Sequence, residues 1–236
     1  MIKLYDFELS GNCYKVRLLL NILGVAYEKQ PINFYPAMEH KSEAFLAINP
    51  LGQLPVIDDA GYVLRDAQAI LAYIAQRYDA SGHWLPSQDA KLLGEVYQWM
   101  SFADAITATS STARLHDLLF YDLDVVAARS GAHRLFRILD EHLWFQETQG
   151  RDWLCSATHP TIADIACFPY VMMSEDGGIS LLNYPAIRRW TDRVKRIPGF
   201  IVMKWRLSYK SSCKKIKSLK QARCNGTSTP CLTVCV

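Results

Sequence analysis

Apolar positions follow two different periods along this chain. Up to about residue 80, short apolar runs bounded by turns alternate with stretches at helical spacing; beyond that, only helical spacing remains. Ile2 to Phe7 is a short apolar run suited to a buried strand. Ser10-Gly11-Asn12 then turns into a helix from Cys13 to Leu23, where Val16, Leu19, Leu20 and Leu23 fall at i, i+3, i+4 and i+7 and Gly24 supplies the stop. A second strand is expected over Ala26 to Ile32. Two further apolar runs, one broken by Pro55 and one from Tyr62 to Leu64, flank Asp58-Asp59-Ala60-Gly61 and predict a hairpin. A helix from Asp66 to Tyr78 follows, with Ile70, Leu71 and Ile74 towards the core. A βαβ unit followed by a ββα unit is the order of a thioredoxin-like domain, a mixed sheet with helices on both faces.

Past a loop at Ser81 to Ser87, two long helices are predicted. Ala90 to Thr107 carries Leu92, Leu93, Val96, Trp99 and Met100, and Leu123 to Gln146 carries Leu135, Ile138, Leu139, His142 and Leu143. Thr161-Ile162-Ala163-Asp164 fits a capping box, in which the acid at the third helical position bonds the backbone N–H of the threonine, with Pro160 and Ile165 where a hydrophobic staple would sit. Thr161 and Asp164 are therefore read as structural, and loss of the Asp164 carboxylate is expected to cost about 1 kcal/mol or more. The fold class expected is an α/β thioredoxin-like N-terminal domain over residues 1–80 with an all-α C-terminal domain over 88–203.

Composition narrows the setting. Half of the 236 residues are hydrophobic, enough for one large core or two modest ones. No apolar stretch reaches the roughly 18 residues that span a bilayer, and the N-terminus lacks a signal-peptide pattern, so a cytoplasmic protein without a membrane partner is expected. Cys13, Cys155 and Cys167 show neither metal-ligand nor disulfide spacing, which fits a reducing compartment and predicts no metal. The charge is uneven: residues 1–203 hold 18 basic and 23 acidic side chains, whereas Lys204 to Val236 holds eight Lys or Arg, no acid and four of the seven cysteines. A basic tail suits polyanions. Periodicity stops abruptly after Met203 and the body has no nucleic-acid features, so the tail at 204–236 reads as irregular and no nucleic-acid partner is expected.

Candidate chemistry lies at two places. In Asn49-Pro50-Leu51-Gly52-Gln53-Leu54-Pro55, proline cannot donate a backbone hydrogen bond, and its neighbour Leu54 is left to offer its own N–H and C=O to a ligand. In Leu9-Ser10-Gly11-Asn12-Cys13, Ser10 and Cys13 have the spacing of a redox Cys-x-x-Cys motif whose exposed first cysteine is serine, which favours stabilising a thiolate over exchanging a disulfide. The plainer role for Ser10 is a helix cap. Neither a base nor a nucleophile elbow surrounds it, which argues against a serine hydrolase.

These motifs, with Asp66-Ala67-Gln68-Ala69-Ile70, Thr161-Ile162-Ala163-Asp164-Ile165-Ala166 and Arg196-Ile197-Pro198-Gly199-Phe200, resemble the soluble glutathione transferases over residues 1–203, in a bacterial, theta-like subgroup. The resemblance implies glutathione as cosubstrate. Leu54, before a cis Pro55, would pair with the cysteinyl backbone in a strand-addition mode. Asp66 would take the γ-glutamyl ammonium, and the following helix N-terminus its carboxylate. His40 and Gln53 match positions that approach the glycyl end. Ser10 would hydrogen-bond the sulfur, with Asn12 as a second donor, and the thiolate would add to a small hydrophobic electrophile in a homodimeric enzyme. Phe7, Met100, Thr107, Arg114, Leu115 and Phe120 are candidate walls for the electrophile. One position departs: the acid is usually followed by serine, and Ala67 lacks that hydroxyl, an expected loss of about 1–3 kcal/mol in glutathione affinity. Two alternatives remain open, a glutathione-dependent thiol-disulfide oxidoreductase using Cys13 and a non-catalytic binding protein of the same fold.

Magnitudes limit Ser10. A thiol of pKa about 8.5 is about 3% ionised at pH 7, so full ionisation raises the thiolate population only roughly thirtyfold. Orientation of the electrophile must supply the rest.

Overall fold

The computed structural model describes residues 1–203, and residues 1–201 form one compact unit. The basic segment from Lys204 and its expected irregularity lie outside the described residues. Strand β1 (Ile2–Asp6) leads through Ser10 into helix α1 (Gly11–Ile22), and β2 (Tyr27–Pro31) returns parallel to β1. After α2 (Glu43–Ile48), the antiparallel pair β3 (Val56–Asp59) and β4 (Tyr62–Arg65) completes a mixed sheet of order β2-β1-β3-β4, with Leu4 opposite Ile57. Helix α3 (Ala67–Tyr78) follows. Successive residues of β1 point to opposite faces: Leu4 is buried, while Tyr5 meets Phe45 of α2, ring centroids 6.1 Å apart. This is the thioredoxin-like arrangement.

The remaining elements are helical: α4 (Ala90–Ile106), α5 (Thr112–Leu119), α6 (Val125–Thr148), α7 (Ile162–Met172) and α8 (Pro185–Val194). A π-helical segment, Thr107–Ser111, joins α4 to α5 in one rod, and the wider turn shifts the phase of α5 relative to α4. Helix α7 is buried from Ile162 to Val171 and packs against α1, α3 and α4, so it ties the sheet layer to the helical layer. Its start is held by Asp164, which is fully buried. The carboxylate accepts from Thr161 N–H at 2.9 Å, from Leu154 N–H at 3.2 Å and from the Trp190 indole at 2.9 Å.

Two differences from the sequence pattern stand out. Ile138 is 54% exposed, and the core stripe of α6 runs instead through Ala128, Ala132, Phe136, Leu139 and Leu143. The stripe winds past Ile138 because 3.6 residues per turn selects Phe136 once Ala132 and Leu139 are inside. Helices α2, α5 and α8 also carry no sequence expectation. Six residues of α2 are too few to show a period, and the arginines of α8 hide its buried stripe of Ala186, Ile187, Trp190 and Val194.

Candidate active site

Ser10 is the N-cap of α1. Its backbone is extended (φ −78°, ψ 123°), and its Oγ accepts the Cys13 N–H at 3.2 Å. A hydroxyl has two lone pairs and one proton, so capping leaves Oγ–H free to donate outward from the positive end of the helix. The cap and thiolate-donor roles are therefore compatible. The turn is held from both sides. Gly11 lies under the Tyr170 ring of α7, where an added Cβ would come within 2.6 Å of the ring. Arg114 of α5 donates from Nη1 to the Leu9 carbonyl at 2.7 Å and from Nε to Asp176 at 3.1 Å. Arg114 thus acts as a clamp on the Ser10 turn, a role that a list of pocket walls does not anticipate.

Cys13 points inward. It is fully buried, its Sγ accepts the Phe7 N–H at 3.4 Å, and burial, with the nearby Asp6 charge, pushes its thiol up to about 12. Such a thiol carries almost no thiolate at neutral pH. Of the other candidate walls, Met100 is buried in the core of α4 and Thr107 turns its hydroxyl to the Ala103 carbonyl.

The proline loop is built from its neighbours. Asn49 donates from Nδ2 to the Gln53 carbonyl at 2.9 Å and accepts the Leu51 N–H at 3.1 Å, while the Gln53 side chain stays exposed. The Leu54–Pro55 bond is cis, and the strand ladder begins only at Val56. Gly52 adopts φ +58°, and its missing Cβ lets the His40 carbonyl approach to a distance that an added Cβ would reduce to 2.7 Å. His40 is thereby set beside the loop. Its ring stacks on Phe34 at 4.0 Å, and Phe34 on Phe7 at 5.4 Å. Burial, with the adjacent Lys41 charge, pulls the imidazole down to about 4, so His40 is neutral at pH 7 and offers a hydrogen bond rather than a charge.

At the start of α3, Asp66 has φ 76° and its Oδ1 accepts the N–H groups of Gln68 and Ala69, both at 2.9 Å. The carboxylate caps its own helix. Ala67 is buried at the first helical position, where a backbone N–H has no partner within the helix. Gln68 Nε2 donates to Asp104 of α4. Among the described residues six buried side-chain polar atoms lack a partner, and four of them, Asn12 Oδ1, His40 Nδ1, Gln68 Oε1 and Arg114 Nη2, belong to residues at or beside these three elements. Buried polar atoms are ordinarily satisfied, so such a concentration is what a polar ligand would complete.

Residues 4–82 match the family model described as the glutathione S-transferase N-terminal domain. The chain is similar to the crystal structure of a glutathione S-transferase from Pseudomonas fluorescens, at 30% identity and TM-score 0.76, over 86% of this chain and 99% of that one. The chain belongs to the glutathione S-transferase family. Among curated relatives, the human glutathione S-transferase theta-2 is 28% identical over 68% of this chain and 67% of its own length. The maleylacetoacetate isomerase of Pseudomonas aeruginosa is 26% identical over 84% and 93%. Its relatives are transferases, and this glutathione S-transferase is an enzyme of that class. Among its described residues no cluster of three or more His, Cys, Asp or Glu is arranged to hold a metal, and no helix is long and apolar enough to cross a membrane.

Proposed function

We propose that this transferase binds glutathione across the proline loop and the start of α3, and that Ser10 Oγ–H stabilises its thiolate for addition to a small hydrophobic electrophile. The observation that carries the reading is the Ser10 hydroxyl, which caps α1 with a lone pair and keeps its proton for a ligand. In this reading the backbone of Leu54 pairs with the cysteinyl unit, Asp66 Oδ2 takes the γ-glutamyl ammonium, and neutral His40 meets the glycyl end beside Gln53. Asn12 serves in this reading as a second donor to the thiolate. The division of labour follows the expected domains, with residues 1–80 holding the peptide and 88–203 the electrophile.

The experiment is conjugation of glutathione to a chloronitrobenzene acceptor by the wild type and by Ser10→Ala. Wild-type conjugation that falls at least tenfold in the variant supports the reading. No conjugation by the wild type, or undiminished conjugation by the variant, contradicts it. The disulfide-exchange alternative draws no support from Cys13, whose thiol is buried and protonated. A non-catalytic reading has one observation in its favour: Asp66 occupies two of the α3 N–H groups that a ligand carboxylate would otherwise use.

We also propose that the protein pairs with a second copy of itself, with the half-exposed Tyr62 and Val63 of the edge strand β4 and Tyr97 of α4 as candidate contacts.

A further inference from the structure

Helix α1 is buried on every side from Cys13 to Leu20, and one residue in that run is a lysine. The Lys15 side chain has no exposed surface. Its Nζ makes one long hydrogen bond, 3.4 Å to Thr107 Oγ1, and sits 5.5 Å from the centre of the Tyr170 ring. Among the described residues no carboxylate lies within ion-pair distance of it. A buried ammonium held so weakly is costly, and lysines are almost never fully buried unless paired.

Helix α1 packs against α3 and α7, and the charged and titratable groups whose fields reach Lys15 are Asp104 of α4, Asp66 at the start of α3 and the thiol of Cys167 in α7. Burial pushes the Cys167 thiol upward, which keeps it neutral. Asp104 is the group that Gln68 Nε2 binds, and Asp66 accepts the Gln68 backbone N–H, so Gln68 joins the two carboxylates whose charges act on Lys15. That helix start is short of what a ligand carboxylate needs. Position 67 has no hydroxyl, two N–H groups are taken by Asp66, and the carboxylates of Asp66 and Asp104 both bring negative charge to it.

We infer that protonated Lys15 is the counter-charge that admits a carboxylate at the start of α3, making it a positioning residue for the γ-glutamyl end of the ligand. The inference rests on the glutathione reading and adds a residue and a pH dependence to it. Burial pulls the lysine down to about 8. The ligand carboxylate favours the charged form, so binding raises that value. Affinity is then full below about pH 8 and falls as the pH rises through it, by up to about tenfold between pH 7 and pH 9.

The test is calorimetric titration with S-methylglutathione, which has no ionisable thiol, at pH 7, 8 and 9. Wild type is compared with Lys15→Arg, whose guanidinium stays charged, and with Lys15→Met, which is neutral and of similar length. Circular dichroism shows which variants fold, and either one alone is sufficient. Wild-type affinity that drops fivefold to tenfold, with a flat profile in Lys15→Arg and a weaker, flat profile in Lys15→Met, supports the inference. A flat wild-type profile overturns it, as does the wild-type slope persisting in a folded variant, which would assign the titration to the ligand's own ammonium. A wild type that does not bind S-methylglutathione at pH 7 overturns the glutathione reading and this inference together. Binding without a Lys15-dependent slope overturns this inference alone.

Discussion

His40 shows how burial changes what a residue offers. Folded His40 resists protonation down to about 4, against about 6.5 for an unfolded histidine, so between those values the unfolded chain takes up the proton and the folded chain does not. Its contribution to stability is therefore complete above about pH 6.5 and is lost as the pH falls. Moving from pH 7 to pH 5 should cost about 1–2 kcal/mol through this residue. Urea unfolding of the wild type and His40→Gln at both pH values measures it: the variant should lose less stability than the wild type, and equal losses would contradict the assigned environment. Other residues teach the same lesson about position. Ser10 and Ala67 are readable in the sequence because each occupies a motif. The buried Lys15 and the Arg114 clamp were not, because nothing local marks a lysine among Cys13, Tyr14 and Val16 as unpaired, and the Leu9 carbonyl that Arg114 holds is far away along the chain.

At the scale of elements, α7 is the joint of the molecule. Its capping box satisfies the helix start, but Asp164 also takes N–H groups from the loop at Leu154 and from Trp190 of α8, which the box pattern does not reveal. Removing the carboxylate leaves three buried donors without an acceptor, each worth about 1–3 kcal/mol. Asp164→Ala is expected to lose about 3 kcal/mol or more of unfolding free energy, and a loss below about 1 kcal/mol would mean that the carboxylate acts as a simple cap. The strands, α1, α3 and α4 could be read from periodicity alone. Helix α6 could be read as a helix but not in rotation, since Ile138 and Phe136 are equally apolar and only three-dimensional packing selects Phe136. The π-helical segment at Thr107–Ser111 has no sequence signal, because one extra residue in a turn leaves composition unchanged.

The whole molecule sets a thioredoxin-like sheet against a helical layer, with the candidate site along their boundary: Ser10 and the proline loop from the sheet side, Arg114 and Tyr170 from the helices. The fold was legible because order and spacing of elements carry it; the tightness of the site was not, because it depends on which donors remain free after the protein has used its own. Light scattering should report a dimer, and Tyr97→Glu should shift it towards monomer; a monomeric wild type removes the proposed second copy. The measurement closest to the central claim is the pH titration of the ultraviolet thiolate absorbance of bound glutathione. With wild-type protein the bound thiol should ionise well below its free value of about 8.5, and in Ser10→Ala it should return towards that value. An unshifted thiol in the wild type, or an equally lowered one in Ser10→Ala, would contradict the assignment of the thiolate to Ser10.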